Sequence, residues 1–459
     1  MGGPFEAPHL VMLRAVLVAN RGEIARRIFR ACRRLGLRTV AVYSEADAGA
    51  PHTQEADTAV LIGPPPARES YLAIDRIIGA ALRAGADAVH PGYGFLSENW
   101  RFAEACARAG LTFVGPAPEC IRAMGDKTEA RRLMHAAGVP IVPGSTAPVA
   151  NPEEVERIAS EVGFPLILKA AGGGGGIGMA RVGTPSELSS AYATAARRAQ
   201  AAFGTGALYV ERYLVRPRHV EVQVFGDGHG TLAHLHEREC SIQRRHQKVV
   251  EECPAPGLAP VTRTALTETA VKGAAAIGYV NAGTLEFLVD ESGHFYFLEM
   301  NTRLQVEHAV TEEVTGLDLV VEQLRVAAGE PLSWSPGAIV PRGAAIECRV
   351  YAEDADRAFL PSPGTIGRLE LPIGEGVRIE SGVEEGSTVS VHYDPLLFKL
   401  IVHGRSRNEA LGLMEDALDR CVVEGVKTNL AFLRRVIASD AFRAGQTHTQ
   451  MVEQGAFNA

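Results

Sequence analysis

Apolar runs alternate with amphipathic helical stretches through residues 14–124. The strand candidates lie at 15–19, 39–43, 88–90 and 112–114, and the helix candidates lie at 22–35 and 102–109. Strands that alternate with helices predict a parallel, doubly wound sheet. The turn after the first strand reads Ala-Asn-Arg-Gly and lacks the glycine pattern of a dinucleotide site, so this Rossmann-like shape does not imply NAD.

The remainder of the chain divides at two stretches rich in turn-forming residues. A proline-rich stretch at 139–152 predicts a hinge, and residues 332–342, rich in Pro, Gly and Ser, predict a linker. Between them the pattern predicts a small α/β module at 153–213 and then, over 214–329, several long strands with two helices. After the linker the chain is rich in strand pattern to about His403 and helical beyond it.

Composition narrows the function classes. The 459 residues are 46% hydrophobic and 22% charged, as in ordinary globular proteins. The net charge of -8 disfavours nucleic acid as a partner, because that partner requires a basic surface. No segment approaches the roughly 18 apolar residues that span a bilayer, and the start of the chain lacks the basic region of a secretory signal. The seven cysteines are scattered and form no CxxC pair, which indicates free thiols in the cytoplasm.

A glycine-rich segment is the first candidate for chemistry. Residues 164–179, FPLILKAAGGGGGIGM, join an apolar strand to Lys169 and a run of five glycines. Glycine lets backbone N–H groups approach a phosphate closely. Residues 179–182 read as another strand rather than a helix, so the pattern favours a hairpin flap over phosphates to a dinucleotide loop. The alternative interpretation is a flexible surface hairpin.

Two apolar strand candidates, 283–290 and 294–301, are joined by a turn containing Ser-Gly and predict a hairpin. In that register Glu286 and Glu299 face each other with their Cβ atoms about 5 Å apart, where two like charges repel. A divalent cation relieves the repulsion, and Asn301 adds a carbonyl ligand. The pattern therefore suggests a Mg²⁺ site that bridges nucleotide phosphates; in the alternative interpretation one glutamate is solvated on an exposed face.

The second strand continues as EMNTRLQVE at 299–307, in which every odd position is polar. A fully extended segment of this length spans about 26 Å, which is too long for one small site. The chain must therefore curl after Asn301 if Arg303 and Glu307 share a substrate with the metal. An ordinary amphipathic strand is the alternative.

Two further polar clusters remain ambiguous. The run QRRHQK at 243–248 is typical of a solvated face, but in a chain with a phosphate flap it also suits an anion clamp. His234 and His236 alternate along a strand and are candidate metal ligands. No third ligand is apparent beside them, so a structural role is favoured.

At these residues the sequence resembles the biotin carboxylase family, over nearly the whole chain from about Met12 to Phe457. The strings that carry the resemblance are ANRGEIA (19–25), HPGYGFLSEN (90–99), MGDK (124–127), the glycine segment, RPRHVEVQV (216–224), SIQRRHQKVVEE (241–252), EMNTRLQVEH (299–308), ECRVYAED (347–354), PSPG (361–364) and GVKTN (425–429). Other ATP-grasp ligases share the flap and the metal carboxylates, but they do not share QRRHQK and RLQVEH together.

The resemblance implies an α/β fold, of the α+β ATP-grasp type, with three domains. These are a Rossmann-like N-terminal domain at 12–125, an ATP-grasp domain at 126–331 with a mobile lid at about 141–213, and a β-rich C-terminal domain at 342–459. It also implies carboxylation of carrier-bound biotin with ATP, Mg²⁺ or Mn²⁺, and bicarbonate, as the first half-reaction of an acyl-CoA carboxylase. Acetyl-CoA and fatty acid biosynthesis are the expected context, and a cytoplasmic homodimer is the expected form.

The resemblance also implies residue roles. The nucleotide is expected to contact Lys127, Lys169, Gly173, Gly174, Gly175, Gly176, Gly178, Met179, Glu211, Leu214, His219, Gln243 and Leu288. The metals are expected on Glu286, Glu299 and Asn301. Bicarbonate is expected at Lys248, Arg303, Gln305 and Val306, with Glu307 as the general base. Biotin is expected at Tyr93 and at Arg349, which stabilises the biotin enolate.

The residue types suit this chemistry. Bicarbonate is a poor electrophile, so ATP first converts it to carboxyphosphate, while lysines, flap and metal neutralise the charge of the phosphoryl group. A free glutamate, with a pKa of about 4.3, is a weak base. Arg303 and Lys248 assist Glu307 by stabilising the anion that forms. In the family the phosphate released from carboxyphosphate deprotonates biotin, and Arg349 offsets the developing oxyanion.

Three positions depart from the family pattern. Ile177 stands where the flap usually carries Arg or Lys, Ala309 replaces a proline, and Phe398 replaces a small residue before Lys399. The chain also contains no Met-Lys-Met biotin-attachment motif, so a biotin carrier protein or domain and a carboxyltransferase subunit are the expected partners. Two other functions stay open. One is a different ATP-grasp ligase that aminates carboxyphosphate, and the other is an ATP-binding subunit with weakened catalysis, which Ile177 motivates.

Replacing Ile177 by arginine tests the first departure. A cationic contact to phosphate is worth about 1 kcal/mol when exposed and about 3 kcal/mol when desolvated, so the effect reaches at most about a hundredfold. We expect Ile177→Arg to lower the KM for ATP or to raise turnover without changing the acceptor that is carboxylated. Steady-state kinetics equal to those of the parent would mean that position 177 does not face phosphate.

Overall fold

The computed structural model describes residues 10–145, 147–171 and 179–458. The N-terminal part forms a parallel five-stranded sheet in the order β3-β2-β1-β4-β5, as the alternation of strands and helices predicts. Its elements are β1 Ala15–Val18, α1 Gly22–Arg34, β2 Arg38–Ser44, α2 Pro51–Glu55, β3 Thr58–Gly63, α3 Ile74–Arg83, β4 Ala88–His90, α4 Trp100–Arg108, β5 Thr112–Phe113 and α5 Pro118–Gly125. The strand β3 was not predicted, because it lies at the sheet edge and is only half buried.

Helix α1 brings the N-terminal domain to the site described below. Its apolar positions, among them Ile24, Ile28 and Phe29, are buried against the sheet. Before the helix, the Asn20 amide donates hydrogen bonds to the carbonyls of Pro91 and Tyr93, both at 2.8 Å. The turn after β1 is therefore tied to the loop that follows β4, at the carboxyl edge of the sheet, where ligands of α/β folds usually bind.

The central part holds two sheets. Its elements are α6 Lys127–Ala136, α7 Pro152–Val162, β6 Leu166–Ala170, β7 Ala180–Val182, α8 Leu188–Phe203, β8 Leu208–Arg212, β9 Arg218–Gly226, β10 Leu232–Arg244, β11 Gln247–Cys253, α9 Pro260–Ala276, β12 Asn281–Val289, β13 Phe295–Asn301, α10 His308–Thr315 and α11 Leu319–Ala327. The predicted module at 153–213 is the small antiparallel sheet β7-β6-β8 with two helices. Residues 214–329 contain three helices rather than the predicted two. The additional helix, α10, begins directly after the alternating polar segment 299–307, whose pattern was interpreted as strand.

The proline-rich stretch at 139–152, predicted as a hinge, contacts both central sheets. Ile141 forms a backbone bridge to Phe297 of β13, and Gly144 forms another to Glu211 of β8. Val142 and Val149 are buried. The stretch therefore links the small sheet to the large one through hydrogen bonds.

One eight-stranded sheet joins the central part to the C-terminal part, in the order β13-β12-β9-β10-β11-β14-β21-β19. The linker at 332–342 contains no helix or strand, as predicted. The last elements are β14 Ala344–Tyr351, β15 Glu353–Asp354, β16 Leu360–Pro361, β17 Gly364–Thr365, β18 Arg368–Glu370, β19 Val377–Ser381, β20 Thr388–Val389, β21 Leu396–Gly404, α12 Arg407–Arg420, β22 Val422–Glu424, α13 Leu430–Ala438 and α14 Asp440–Arg443. The strands thus precede most of the helices here, as the pattern after the linker predicts.

The C-terminal strands carry an apolar face and a charged face. Cys348 of β14 and Phe398 of β21 point into the apolar core that α12 and α13 cover. Because successive residues of a strand point to opposite faces, Arg349 and Lys399 point to the other side. Phe398 is therefore a core residue, which accounts for a large side chain at that position. Ala309, the second residue of α10, is also buried in a small apolar cluster.

None of the helices in the described part of the chain is long and apolar enough to cross a membrane.

A buried ion network ties the N-terminal domain to the central domain. The Arg27 guanidinium of α1 donates to Glu312 of α10 at 2.7 Å and to Asp318 at 2.6 Å. Arg34, about two turns further along α1, also binds Asp318 at 2.6 Å, but its side chain is 70% exposed. Two arginines on one helix thus bind the same carboxylate, one in the interior and one at the surface.

These two arginines make a matched test of the interdomain contact. Removing one partner of a buried pair leaves the other charge desolvated and costs about 3 to 5 kcal/mol. An exposed pair contributes less than about 1 kcal/mol. We expect Arg27→Met to lower the urea midpoint of unfolding strongly and Arg34→Met to leave it almost unchanged, as followed by circular dichroism. Equal and small shifts would show that the buried network does not hold the two domains together.

Candidate active site

Three glutamates stand side by side across three neighbouring strands of the large sheet. Glu299 of β13 lies opposite Glu286 of β12, as predicted from the hairpin register, and Glu286 lies opposite Glu221 of β9. Glu221 lies in turn opposite Arg238 of β10. Glu221 and Glu286 are buried, so this row concentrates negative charge inside the protein.

Lys248 of β11 neutralises part of this charge. Its ammonium group donates to Glu286 at 2.7 Å, to Glu307 at 2.6 Å and to Glu221. Burial is the largest single influence on Lys248 and lowers its pKa, but the three carboxylates together outweigh it and raise the pKa well above the usual value. Lys248 is therefore charged, and it is the common centre of three acidic side chains.

Glu307 is held between two cations. One carboxylate oxygen accepts from Lys248, and the other accepts from Arg349 of β14 at 2.7 Å. Burial tends to raise the pKa of Glu307, but Lys248 and Arg349 outweigh burial and hold the pKa well below its usual range. Arg349 also lies 2.5 Å from the buried Glu251, whose own pKa is raised, chiefly by burial. Arg349 is therefore shared between two carboxylates.

Arg238 binds several polar side chains of the site. Its guanidinium is completely buried and donates to Glu221, to Gln223 and Thr311 at 2.8 and 2.9 Å, and to Gln305 at 2.8 Å. The amide of Gln305 then donates to Glu286 at 2.7 Å. The residues of the site are thus connected by one continuous set of hydrogen bonds.

The polar segment that follows β13 leaves the sheet, as the length argument predicts. The strand ends at Asn301, and residues 302–307 form a short loop before α10. In this loop the Arg303 guanidinium donates to Glu98 at 3.0 Å and to Asn301 at 2.7 Å. Glu98 belongs to the N-terminal domain and also accepts from the Thr302 backbone N–H at 3.1 Å. The curl brings Arg303 and Glu307 back to the glutamate row.

The facing Glu286 and Glu299 fit a divalent cation. Burial first, and then the charge of Glu286, raises the pKa of Glu299 above its usual value. A cation between two carboxylates removes this conflict, and hard divalent cations prefer oxygen ligands. Asn301 lies beside them and donates to Glu286 at 2.8 Å. A cavity of about 300 Å³ next to this pair is lined by Lys127, Glu98, Glu299 and Asn301.

Of the expected nucleotide residues, Lys127 lines that cavity, and the others that the structure describes lie on the two central sheets or next to their strands. Lys169 of β6 and Arg131 of α6 both bind the buried Glu211, so this glutamate is fully engaged by cations. His219 lies 2.9 Å from Glu286 and 2.6 Å from the amide nitrogen of Gln243. Met179 precedes β7, Leu214 follows β8 and Leu288 lies in β12. Gly173, Gly174, Gly175, Gly176, Ile177 and Gly178 lie outside the described residues.

A second cavity, of about 360 Å³, opens where the three domains meet. Four residues expected at the bicarbonate and biotin positions share its wall, namely Tyr93, Arg303, Val306 and Arg349. The N-terminal domain adds residues from the turn before α1, and the C-terminal domain adds Tyr393 and Asp394. The volume suits a small organic substrate.

The charge run at 243–248 divides between surface and interior. Arg245 and His246 form the exposed turn between β10 and β11, whereas Gln243 is buried and Lys248 reaches the glutamates. Neither the solvated face nor the anion clamp therefore describes the whole run. His236 lies 3.0 Å from the carbonyl of Ile339, in keeping with the structural role favoured for it and for His234.

Several residues of this site carry no signal that was recognised in the sequence. They are Glu98, Glu221, Arg238 and Glu251, and Asn429, whose side chain binds backbone atoms of Arg349 and Tyr351. Glu98, Glu221, Glu251 and Asn429 lie inside the strings HPGYGFLSEN, RPRHVEVQV, SIQRRHQKVVEE and GVKTN, so those strings could have pointed to them. Arg238 lies outside every quoted string and depends on contacts with distant segments, which spacing alone does not reveal.

Three family models match successive parts of the chain. They are the biotin carboxylase N-terminal domain at 12–121, the carbamoyl-phosphate synthase L chain ATP binding domain at 126–335 and the biotin carboxylase C-terminal domain at 347–454. Biotin carboxylase 2 of Bacillus subtilis is 54% identical over 443 residues, which cover 96% of this chain and all of the relative. The methylcrotonoyl-CoA carboxylase subunit alpha of Oryza sativa is 52% identical over 96% of this chain, which spans 60% of that longer protein.

A solved structure is similar over almost the whole chain. It is the biotin carboxylase domain dimer of the Hydrogenobacter thermophilus 2-oxoglutarate carboxylase, in complex with MgADP, ADP and bicarbonate. The TM-score is 0.93 at 46% sequence identity, and the match covers 98% of this chain and 99% of that one. The mixed α/β architecture with three domains is thus shared with that structure.

Glu299→Gln tests whether the facing pair holds a metal. The raised pKa means that ionised Glu299 destabilises the metal-free fold at neutral pH, a cost that is absent below about pH 4.5, where folded and unfolded chains are both protonated. We expect the metal-free Tm at neutral pH to hold or rise. Mg²⁺-dependent turnover should fall by at least about tenfold.

The control for this variant is Glu291→Gln, which changes an exposed glutamate in the turn of the same hairpin. It should alter neither the Tm nor the Mg²⁺ dependence. A large fall in the metal-free Tm of Glu299→Gln, with unchanged Mg²⁺ dependence, would show that the pair is purely structural.

Proposed function

The chain belongs to the biotin carboxylase family of ATP-grasp ligases, and we propose that it uses MgATP and bicarbonate to carboxylate biotin held on another polypeptide. The reaction joins a carboxyl group to a biotin nitrogen and releases ADP and phosphate. The observation that carries this proposal is the shared cavity wall of Arg303, Val306 and Arg349, beside the buried carboxylate of Glu307.

The low pKa of Glu307 fits a base that bicarbonate itself activates. In the absence of substrate, the charges of Lys248 and Arg349 leave the Glu307 carboxylate with little tendency to take a proton. An anion that binds the same cations repels Glu307. This repulsion raises the pKa of Glu307 and favours transfer of the bicarbonate proton to it.

The nucleotide side of the site supplies positive charge for phosphoryl transfer. Lys127 and Lys169 are proposed to contact the phosphates, and Glu286, Glu299 and Asn301 to hold magnesium. The bound metal would neutralise charge on the phosphoryl group as it moves. Bicarbonate then receives that group and becomes carboxyphosphate, whose breakdown yields carbon dioxide and phosphate next to the second cavity.

The second cavity is proposed to hold the ureido ring of biotin. Tyr93 lies at its wall, and Arg349 reaches into it from β14. The phosphate released there accepts the ureido proton, and the Arg349 guanidinium stabilises the oxyanion while the ring nitrogen attacks carbon dioxide. Arg349 can leave Glu307 for this task, because Glu251 remains beside it.

The acceptor that finally receives the carboxyl group is chosen by a partner. Relatives of this chain serve a methylcrotonoyl-CoA carboxylase and a 2-oxoglutarate carboxylase, so the family works with different acceptors. We propose a carrier protein or domain and a carboxyltransferase subunit as partners, with an acyl-CoA, and first acetyl-CoA, as acceptor. Fatty acid synthesis is the corresponding context. A homodimer in the cytoplasm is proposed as the working form, and the solved relative is described as a dimer.

A second candidate function has one observation in its favour. The family model at 126–335 is named for carbamoyl-phosphate synthase, whose ATP-binding domain belongs to an enzyme that makes carbamoyl phosphate. A ligase that aminates carboxyphosphate would share the phosphate and metal residues. The two flanking biotin carboxylase matches favour biotin as the acceptor of the carboxyl group.

Measurement of ADP release decides between these functions. We expect release of ADP that depends on bicarbonate and that free biotin stimulates at least about tenfold, because biotin removes the activated carboxyl group. Release of ADP that depends on neither bicarbonate nor biotin would reject the assignment as a biotin carboxylase. Stimulation by ammonia instead of biotin would favour the second candidate.

A further inference from the structure

A completely buried lysine lies at the junction of the three domains. Lys399 of β21 belongs to the C-terminal domain and is 0% exposed. Its ammonium group donates to the backbone carbonyl of Val306 in the central domain at 2.5 Å. The same group lies 3.5 Å from a carboxylate oxygen of Glu23, at the start of α1 in the N-terminal domain. One side chain thus connects the site loop at 302–307 to both other domains.

The loop owes its shape to side-chain donors. Besides Val306, the carbonyl of Gln305 accepts from the ring Nδ1 of His308 at 2.8 Å, and the carbonyl of Leu304 accepts from Arg303 at 3.2 Å. Three consecutive carbonyls are therefore fixed by side chains, in a segment that belongs to no helix or strand. Of the three donors, Lys399 alone comes from another domain.

Fixing a carbonyl also fixes the N–H group of the next residue. A trans peptide is planar, and its C=O and N–H point in opposite directions. The bond from Lys399 to Val306 therefore sets the direction of the Glu307 N–H and the start of the Glu307 side chain. Among the described residues, the backbone N–H groups of 303–307 donate to no acceptor, so they remain available to an anion in the cavity lined by Arg303 and Val306.

Packing alone does not explain a lysine at this place. Replacing buried charged groups by apolar side chains of similar size is often neutral or stabilising, so a buried ammonium is a weak contribution to stability. Ile401, two residues further along β21 on the face of Lys399, is apolar. The distinctive property of Lys399 is its reach to one particular carbonyl of the site loop.

We propose that Lys399 is a positioning residue for bicarbonate: by anchoring the Val306 carbonyl, it aims the Glu307 carboxylate and the adjacent N–H groups at the substrate. This inference rests on the proposed function of the same site. Lys399 contacts Val306 and Glu23, and in the described part of the chain it contacts none of the expected nucleotide residues.

The main variant is Lys399→Met, which keeps the length of the side chain and removes its donor. Because this change leaves Glu23 without its cation, the double variant Lys399→Met with Glu23→Gln is measured beside it and beside Glu23→Gln alone. Phe398→Leu is the matched control, because it alters the adjacent buried residue on the opposite face of β21. Each protein is assayed for the KM of bicarbonate and of ATP, and for hydrogen exchange of the peptide that covers 302–315. That peptide includes α10, whose hydrogen-bonded amides follow the loop directly.

We expect Lys399→Met to reduce kcat/KM for bicarbonate by at least about tenfold, since small misplacement of a reacting group costs up to about a hundredfold. The KM for ATP should stay within about twofold, and exchange of 302–315 should accelerate about tenfold, because release of the loop frays the first turn of α10. The double variant should keep the defect, and Phe398→Leu should show none of it.

The proposal is overturned if the double variant regains the bicarbonate kinetics of Glu23→Gln alone, since the defect then came from an unpaired carboxylate. It is also overturned if Phe398→Leu shows the same defect, or if exchange of 302–315 is unchanged in Lys399→Met. Failure of the proposed function looks different, because the parent would then show no bicarbonate-dependent turnover. The hydrogen exchange of 302–315 still decides the role of Lys399 in that case.

Discussion

The row of three glutamates across β13, β12 and β9 is the constraint on which the site depends. Neighbouring strands place Glu299, Glu286 and Glu221 at consecutive positions, and like charges at that spacing destabilise a sheet. The protein balances the inner two with Lys248 and Arg238, which are themselves buried. The outer one, Glu299, keeps a raised pKa. A divalent cation bound between Glu299 and Glu286 would relieve this repulsion.

The continuous eight-stranded sheet explains how these charges are held in place. Lys248 and Arg349 lie on β11 and β14, the adjacent strands through which the central and C-terminal domains join. The two cations that bind Glu307 therefore come from the sheet, whereas Glu307 and Arg303 come from a short loop. That loop is fixed by hydrogen bonds to Glu98 and Lys399, one from each of the other two domains. All three domains thus contribute to the position of a single carboxylate.

Local patterns predicted the parts of the structure that depend on local rules. The parallel N-terminal sheet follows from alternating strands and helices, the facing of Glu286 and Glu299 follows from the length of a hairpin turn, and the curl after Asn301 follows from distance. Contacts between distant segments were beyond these rules. Glu98 and Arg303 are 205 residues apart in the sequence. The alternation of polar and apolar residues shows which side chains of a strand share a face, but it does not show which other segment packs against that face. For the same reason the run QRRHQK gave no indication that Lys248 would bind three carboxylates.

The central claim is that bicarbonate attacks phosphorus in this site, so that one of its oxygens enters the released phosphate. Turnover with ¹⁸O-labelled bicarbonate and unlabelled ATP, followed by mass spectrometry of the inorganic phosphate, tests the claim most directly. The account predicts one ¹⁸O atom in each phosphate formed at low conversion, before bicarbonate exchanges oxygen with water. Phosphate that carries no bicarbonate oxygen, and instead acquires one from water, would mean that ATP is hydrolysed without activating bicarbonate and would contradict the account.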